Sequence, residues 1–210
     1  MKNQFYLFFL LATLSISPVF AQTAYDKGMQ KAFTLWQEGK VVDAGNLFER
    51  IAQAEMDNWL PHYYVSTINT IRSFGIKDEN QLMQQLQKAQ EYLDIAKRLS
   101  PDNAEILVQQ AMINTAYIAY DGQTYGMTLS GKNTQLYSKA LQLDPKNPRV
   151  ILSKAEWDMG SARYFGKDTA PYCADVEKAI GLFSTFKPAE KYAPSYGEER
   201  AKQVLEACKS

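Results

Sequence analysis

A small residue recurs at matching places in four helical segments, and this recurrence constrains the fold more than any other feature. Ala32, Ser66, Ala111 and Ala155 lie 34, 45 and 44 residues apart, each within an apolar stretch of helical periodicity. Repeats of this length are typical of stacked helix pairs, in which small residues let neighbouring backbones approach closely. The sequence therefore predicts an all-α array whose successive pairs pack on one another.

A second repeated pattern marks where helices end. Residues 96–103 (AKRLSPDN) match residues 140–147 (ALQLDPKN), and each stretch ends a helix at a proline that cannot continue it. The residues ahead of each proline share one helix face and the same offsets: Ala89, Leu93 and Ala96 in the first stretch, Asn133, Tyr137 and Ala140 in the second.

This pattern resembles that of the tetratricopeptide repeat (TPR) proteins, whose 34-residue helix-turn-helix units carry a small residue in each helix and a closing proline. The resemblance covers residues 25–186, although only the first unit has the standard length. It implies a right-handed helix-turn-helix solenoid of about four helix pairs. The pattern Ser195-Tyr-Gly-Glu198 predicts a C-terminal capping helix after it.

The residues that exceed the standard length fall between the paired helices. Residues 75–78 form a short breaker between two uninterrupted helical patterns, and residues 165–171 are rich in turn formers. Residues 121–131 hold three glycines and are predicted to form an ordered loop. All these inserts are expected along one edge of the array.

The N-terminus has the pattern of a secretory signal peptide. Lys2 precedes an apolar run over residues 5–14, and small residues lead to an expected cleavage after Ala21. The run is far shorter than the roughly 20 residues that span a bilayer. We therefore predict a signal peptide at residues 1–21 and a single repeat domain at residues 22–210. This domain is expected to be exported to the periplasm of a Gram-negative bacterium, or secreted, with no integral membrane segment.

Charge and cysteine content further limit the kind of partner and the state of the cysteines. The 23 basic residues balance 23 acidic ones without a cluster of like charge, so a nucleic-acid partner is not expected. Cys173 and Cys208 are the only cysteines, and an even pair in an exported chain favours a disulfide. Two separately buried thiols remain the alternative, since spacing alone does not bring β-carbons together.

The chain offers little reactive chemistry. Residues 126–133 match a phosphate-binding loop except at the last position, where Asn133 replaces the hydroxyl that would hold magnesium, and no strand precedes them. His62 is the only histidine, which excludes a multi-histidine metal site, and it follows Pro61 as an expected packing or surface residue. We predict no catalytic residues, no metal site, no cofactor and no enzymatic activity.

The resemblance implies a concave groove along the first helices, and hence a non-catalytic scaffold that binds a protein or peptide. Counting from the small residues, the groove positions are Tyr63, Thr67, Thr70, Glu105, Val108, Met112, Thr115, Arg149 and Glu156. The alternative to an open groove is one that the array's own inserts cover. The alternative function is a small-molecule-binding protein with a tyrosine-rich pocket beside the 121–131 insert, formed by Tyr120, Tyr125 and Met127.

Overall fold

The computed structural model describes residues 17–208, with side chains from Ala24 onward, and all regular structure in this range is helical. The predicted signal peptide lies mostly outside the described residues. The helices are α1 (Ser17–Gln37), α2 (Val41–Ala54), α3 (Trp59–Ser73), α4 (Glu79–Leu99), α5 (Ala104–Tyr120), α6 (Gly122–Leu143), α7 (Pro148–Tyr164), α8 (Cys173–Phe183, after a 3₁₀ turn at Ala170–Tyr172) and α9 (Glu198–Cys208).

Asn and Asp residues begin five of these helices by accepting hydrogen bonds from the exposed amides of the first turn. Asn58, Asn103 and Asn147 cap the first helices α3, α5 and α7, each through its side-chain oxygen. Asp78 and Asp121 cap α4 and α6 in the same way. Such caps satisfy backbone donors that have no partner within the helix, so the short turns end one helix and begin the next.

The helices pack in consecutive pairs, α1 with α2, α3 with α4, α5 with α6, and α7 with α8, and the first helices α3, α5 and α7 also contact one another in order. The recurring small residues lie at these contacts. All four in the first helices are buried, with at most 1% of their surface exposed: Ala32, Ser66, Ala111 and Ala155. Their counterparts in the second helices have no exposed surface: Ala44, Ala89, Asn133 and Ala179. The predicted all-α array of adjacent helix pairs is confirmed.

The glycine-rich insert is helical, so the prediction of a loop at residues 121–131 is wrong. α6 begins at Gly122 because the Asp121 carboxylate accepts from the amides of Gln123 and Thr124 at 3.0 and 3.1 Å. The other two breakers match their prediction: residues 74–78 separate α3 from α4, and residues 165–169 follow α7. Most of the length added to the second and third pairs therefore extends the helices α4 and α6.

The C-terminal end is tied by a covalent bond. Cys173 at the start of α8 and Cys208 at the end of α9 form the predicted disulfide, with α-carbons 6.0 Å apart. The predicted capping helix is α9, which buries Ala201 and Val204 against α8. This helix therefore covers the last pair.

Candidate functional site

The predicted groove is closed by the chain itself. Of the nine predicted groove residues, six are buried, namely Tyr63, Thr67, Thr70, Glu105, Val108 and Arg149. The other three, Met112, Thr115 and Glu156, are partly exposed. Thr115 accepts a hydrogen bond from Asn133 of α6, and Glu156 pairs with Arg200 of α9 at 2.7 Å.

Residues 187–197, which we call the C-terminal strap, run between α8 and α9 and contact three first helices. The Tyr64 hydroxyl of α3 donates to the Tyr192 carbonyl at 2.6 Å, and the Tyr192 hydroxyl donates to the Asp26 carbonyl of α1 at 3.1 Å. The Arg149 side chain of α7 donates to the Tyr196 carbonyl at 2.8 Å, and its guanidinium lies 3.8 Å from the centre of the Tyr196 ring. The strap thus joins both ends of the array.

Beneath the strap, buried polar groups connect the first helices. The Arg149 side chain of α7 donates to both carboxylate oxygens of Glu105 of α5, at 3.1 and 3.0 Å. The Asn147 amide donates to the same carboxylate at 2.9 Å. Gln109 of α5 donates to the Ser66 and Thr70 hydroxyls of α3 at 3.2 and 2.8 Å. These groups use their hydrogen-bonding capacity on one another, so they act as internal connectors of the array.

The three residues of the alternative pocket have different surroundings. Tyr120 is partly buried at the end of α5, where it lines an open depression. Tyr125 packs on Tyr117, with ring centres 5.1 Å apart, and Met127 is 92% exposed on α6. Burial, followed by the nearby carboxylates of Glu79 and Asp78, raises the pKa of Tyr120, so its phenol stays protonated at neutral pH.

The depression beside Tyr120 has a volume of about 320 Å³ and lies between the end of α3, the turn into α4 and the end of α5. Its lining is mostly apolar, with one lysine at the turn: Ser73, Phe74, Gly75, Ile76, Lys77, Leu82, Ala116, Ala119 and Tyr120. Phe74 is 45% exposed, so its ring is accessible to a ligand in the depression. The depression can hold a flat or compact apolar group and offers one cation to an acidic substituent.

Sequence reasoning missed every lining residue except Tyr120. The signal was present in the apolar pair Phe74 and Ile76 on either side of Gly75, in a turn where polar residues are usual. Gly75 has φ +89°, a backbone conformation that favours glycine, and it directs the chain back into α4. From the sequence alone, Gly75 indicates only the end of a helix.

His62 lies far from this depression. It stands in the first turn of α3, 12 residues before Phe74, which corresponds to about 18 Å along the helix. It is 5% exposed, and its ring lies 5.8 Å from that of Tyr92 of α4. Burial, followed by the Arg98 charge, lowers the pKa of His62, while the Met56 main chain opposes the shift. His62 is therefore a packing residue.

Within residues 17–208, none of the helices combines the length and the apolar composition that crossing a bilayer requires. The same residues hold no cluster of three or more histidine, cysteine, aspartate or glutamate side chains arranged for a metal ion.

Neither a family model nor a curated protein sequence matches this chain. Among solved structures, the chain is similar to HusA, a haemophore from Porphyromonas gingivalis. The sequences are 25% identical, the TM-score is 0.77, and the alignment covers 89% of this chain and 94% of HusA. The similarity therefore extends over nearly the whole array.

This comparison corrects the predicted function. A haemophore carries a small molecule, so the prediction of a scaffold for a protein or peptide partner is wrong. The physical reason is that the C-terminal strap contacts α1, α3 and α7, and that six of the nine groove positions predicted to bind a polypeptide are buried. The alternative, a small-molecule-binding protein, is better supported.

Proposed function

We propose that this protein is an exported carrier of haem or of a closely related tetrapyrrole. The observation that carries the proposal is the likeness to a haemophore over nearly the full length of both chains. The depression beside Tyr120 supports it, because a tetrapyrrole presents a flat apolar ring with acidic substituents at one edge. The apolar lining suits the ring, and Lys77 suits an acidic substituent.

The charges around the depression orient such a ligand. Lys77 lies on the turn, while the carboxylates of Asp78 and Glu79 lie near the Tyr120 hydroxyl. An acidic edge would be attracted to Lys77 and repelled from the two carboxylates, so the ring would rest on Phe74 and Tyr120. Tyrosine oxygen can ligate haem iron, but the raised pKa of Tyr120 disfavours the phenolate that ligates. We therefore assign Tyr120 to ring stacking.

A haemin titration followed by absorbance tests this site. Wild-type protein should give a saturable change in the haem spectrum, and Tyr120→Ala and Phe74→Ala should each weaken binding about tenfold, the effect of losing ~1.4 kcal/mol of aromatic contact. Tyr120→Phe keeps the ring and removes the oxygen, so it should bind like wild type.

Tyr164→Ala is the matched control, because Tyr164 is 79% exposed at the end of α7 and does not line the depression. Wild-type protein that leaves the haemin spectrum unchanged would refute the function. Tight binding that none of the depression variants weakens would refute the site. If Tyr120→Phe alone lost binding, Tyr120 would be assigned to iron ligation and not to ring stacking.

The export part of the proposal draws on the N-terminal pattern and the disulfide. The pattern over residues 1–21 is that of a signal peptide, and the Cys173–Cys208 bond is typical of an oxidising compartment. Expression in a Gram-negative host, followed by intact-mass measurement of the periplasmic fraction, should give a chain that begins at Gln22 and is two hydrogens lighter than the reduced form. A full-length chain in the cytoplasm would contradict export.

A further inference from the structure

A second cleft lies on the α5–α6 pair, and nothing in the haem proposal uses it. We call it the α6 cleft. Its volume is about 470 Å³, and its lining consists of Gln110 and Asn114 of α5 with Leu129, Lys132, Gln135, Leu136 and Lys139 of α6. It lies where α5 and α6 pack on each other, and Gln110 of its lining also bonds to Gln90 of α4.

The α6 wall of this cleft carries apolar and cationic side chains in two separate columns. Leu129 and Leu136 are seven residues apart, so they form a column parallel to the helix axis, and Lys132 and Lys139 form a second column beside it. The leucine column is about 10 Å long, from the rise of 1.5 Å per residue, and one side chain wide. A narrow apolar strip with cations along one lip fits a linear apolar chain that carries an anionic group.

The floor of the cleft offers no competing partner for an anion. Gln110 and Gln90 of α4 exchange two hydrogen bonds, both 2.8 Å long, and the Gln90 amide also donates to Asp94 at 2.9 Å. Asn114 donates to Asn133 at 2.8 Å. Because the amides of Gln110 and Asn114 already donate to neighbouring side chains, we expect an incoming carboxylate to find its partner on α6.

The two lysines differ in availability. Lys139 forms an ion pair with Asp102 at 3.1 Å, whereas Lys132 has no acidic partner among the residues that the structure describes. Asp94 on the α4 side and Asp102 beside Lys139 are the acidic groups whose contacts reach this region. They would repel an anion from those two sides and leave Lys132 as its anchor.

From this geometry we infer that the α6 cleft binds a medium-chain fatty acid, with the acyl chain along Leu129 and Leu136 and the carboxylate on Lys132. The length of the leucine column corresponds to a chain of about eight to ten carbons. This site is separate from the depression beside Tyr120 and does not depend on haem binding there.

The test is calorimetric titration of the wild-type protein with decanoate, and with decanol as the uncharged analogue of equal length. Decanoate should bind measurably more tightly than decanol. Lys132→Gln should weaken decanoate binding about fivefold, the effect of one partly exposed charge pair, and leave decanol binding unchanged. Lys31→Gln on α1, which removes an exposed lysine outside the cleft, is the matched control and should bind like wild type.

Methyl-labelled leucine provides a second readout that does not rely on affinity. Decanoate should shift the NMR signals of Leu129 and Leu136 before those of other leucines, and haemin should leave both in place. Circular dichroism on each variant checks that the helices are intact. Absence of decanoate binding, equal binding of decanol, or wild-type affinity in Lys132→Gln would overturn the inference. Haemin shifts at Leu129 and Leu136 would instead assign the cleft to the tetrapyrrole, while the Tyr120 variants test the proposed function independently.

Discussion

At the scale of single residues, the pair Arg149 and Glu105 connects two first helices with the C-terminal strap. Their side chains are only 9% and 8% exposed, and together they join α5, α7 and the C-terminal strap. The sequence placed both residues on the concave side but assigned them to a ligand. The reason is that a charged residue at a groove position has the same spacing whether it faces solvent or an internal partner, and the partner here is 44 residues away.

Removing one member of this pair leaves the other charge buried. We therefore expect Arg149→Met to lower the free energy of unfolding by about 3 kcal/mol in urea denaturation. Adding Glu105→Leu to the same chain should recover part of the loss, because no uncompensated charge then remains. A single variant within 0.5 kcal/mol of wild type, on the order of an ordinary surface substitution, would show that the pair is solvated.

His62 makes folding sensitive to mild acid. Its pKa is lowered in the folded protein by burial and then by Arg98, so the unfolded chain binds a proton that the folded chain rejects. Stability is therefore fully present above the unfolded pKa of about 6.5 and declines as the pH falls through the lower folded value. Urea denaturation at pH 7.5 and 5.5 should show a larger loss for wild type than for His62→Leu. Parallel losses in the two proteins would contradict this assignment.

At the scale of elements, α6 shows where sequence patterns suffice and where they do not. The helical periods of α3 and α4 predicted both helices and the turn between them, because apolar periodicity is strong there. In residues 121–131, the three glycines favoured the prediction of a loop, although the Asp121 cap begins a helix there. The helix forms because the cap begins it, Tyr125 packs on Tyr117, and the buried Asn133 bonds to α5. These contacts between the two helices of the pair override local propensity, and no local pattern reveals them.

The glycines of α6 therefore weaken a helix without serving a packing need. A β-carbon at Gly126 or Gly131 would meet no atom within 4 Å. Gly126→Ala and Gly131→Ala should each stabilise the protein by about 0.5 to 1 kcal/mol. Gly39→Ala is the control, because Gly39 has equal space but φ +76°, so alanine there should destabilise. If residues 121–131 were a loop, the first two substitutions would not raise the melting temperature.

At the scale of the whole molecule, the strap decides which surfaces remain for a ligand. Along the sequence it is a connecting loop with two prolines, and it docks through the main-chain carbonyls and the side chains of Tyr192 and Tyr196. Carbonyl contacts carry no sequence signature, and the partners of the two side chains lie far away along the chain, so the closure of the predicted groove could not be predicted. With the predicted groove closed, the site that we propose for the ligand is the depression at the helix-end edge, where Phe74 and Tyr120 are accessible.

The strap is held between α8 and α9, and the Cys173–Cys208 disulfide fixes the distance between those two helices. The two cysteines are 35 residues apart, and opening a loop of that size removes about 4 kcal/mol of stability in the chain-entropy model. The double variant Cys173→Ser, Cys208→Ser should therefore unfold at markedly lower urea concentration. Because the strap also contacts α1 and α7, limited proteolysis of this variant should cut first within residues 187–197, with the first three helix pairs still intact. Wild type treated with a reductant should behave as the variant does. Initial cleavage in α3 or α5 instead would mean that the strap closes the array without help from the disulfide.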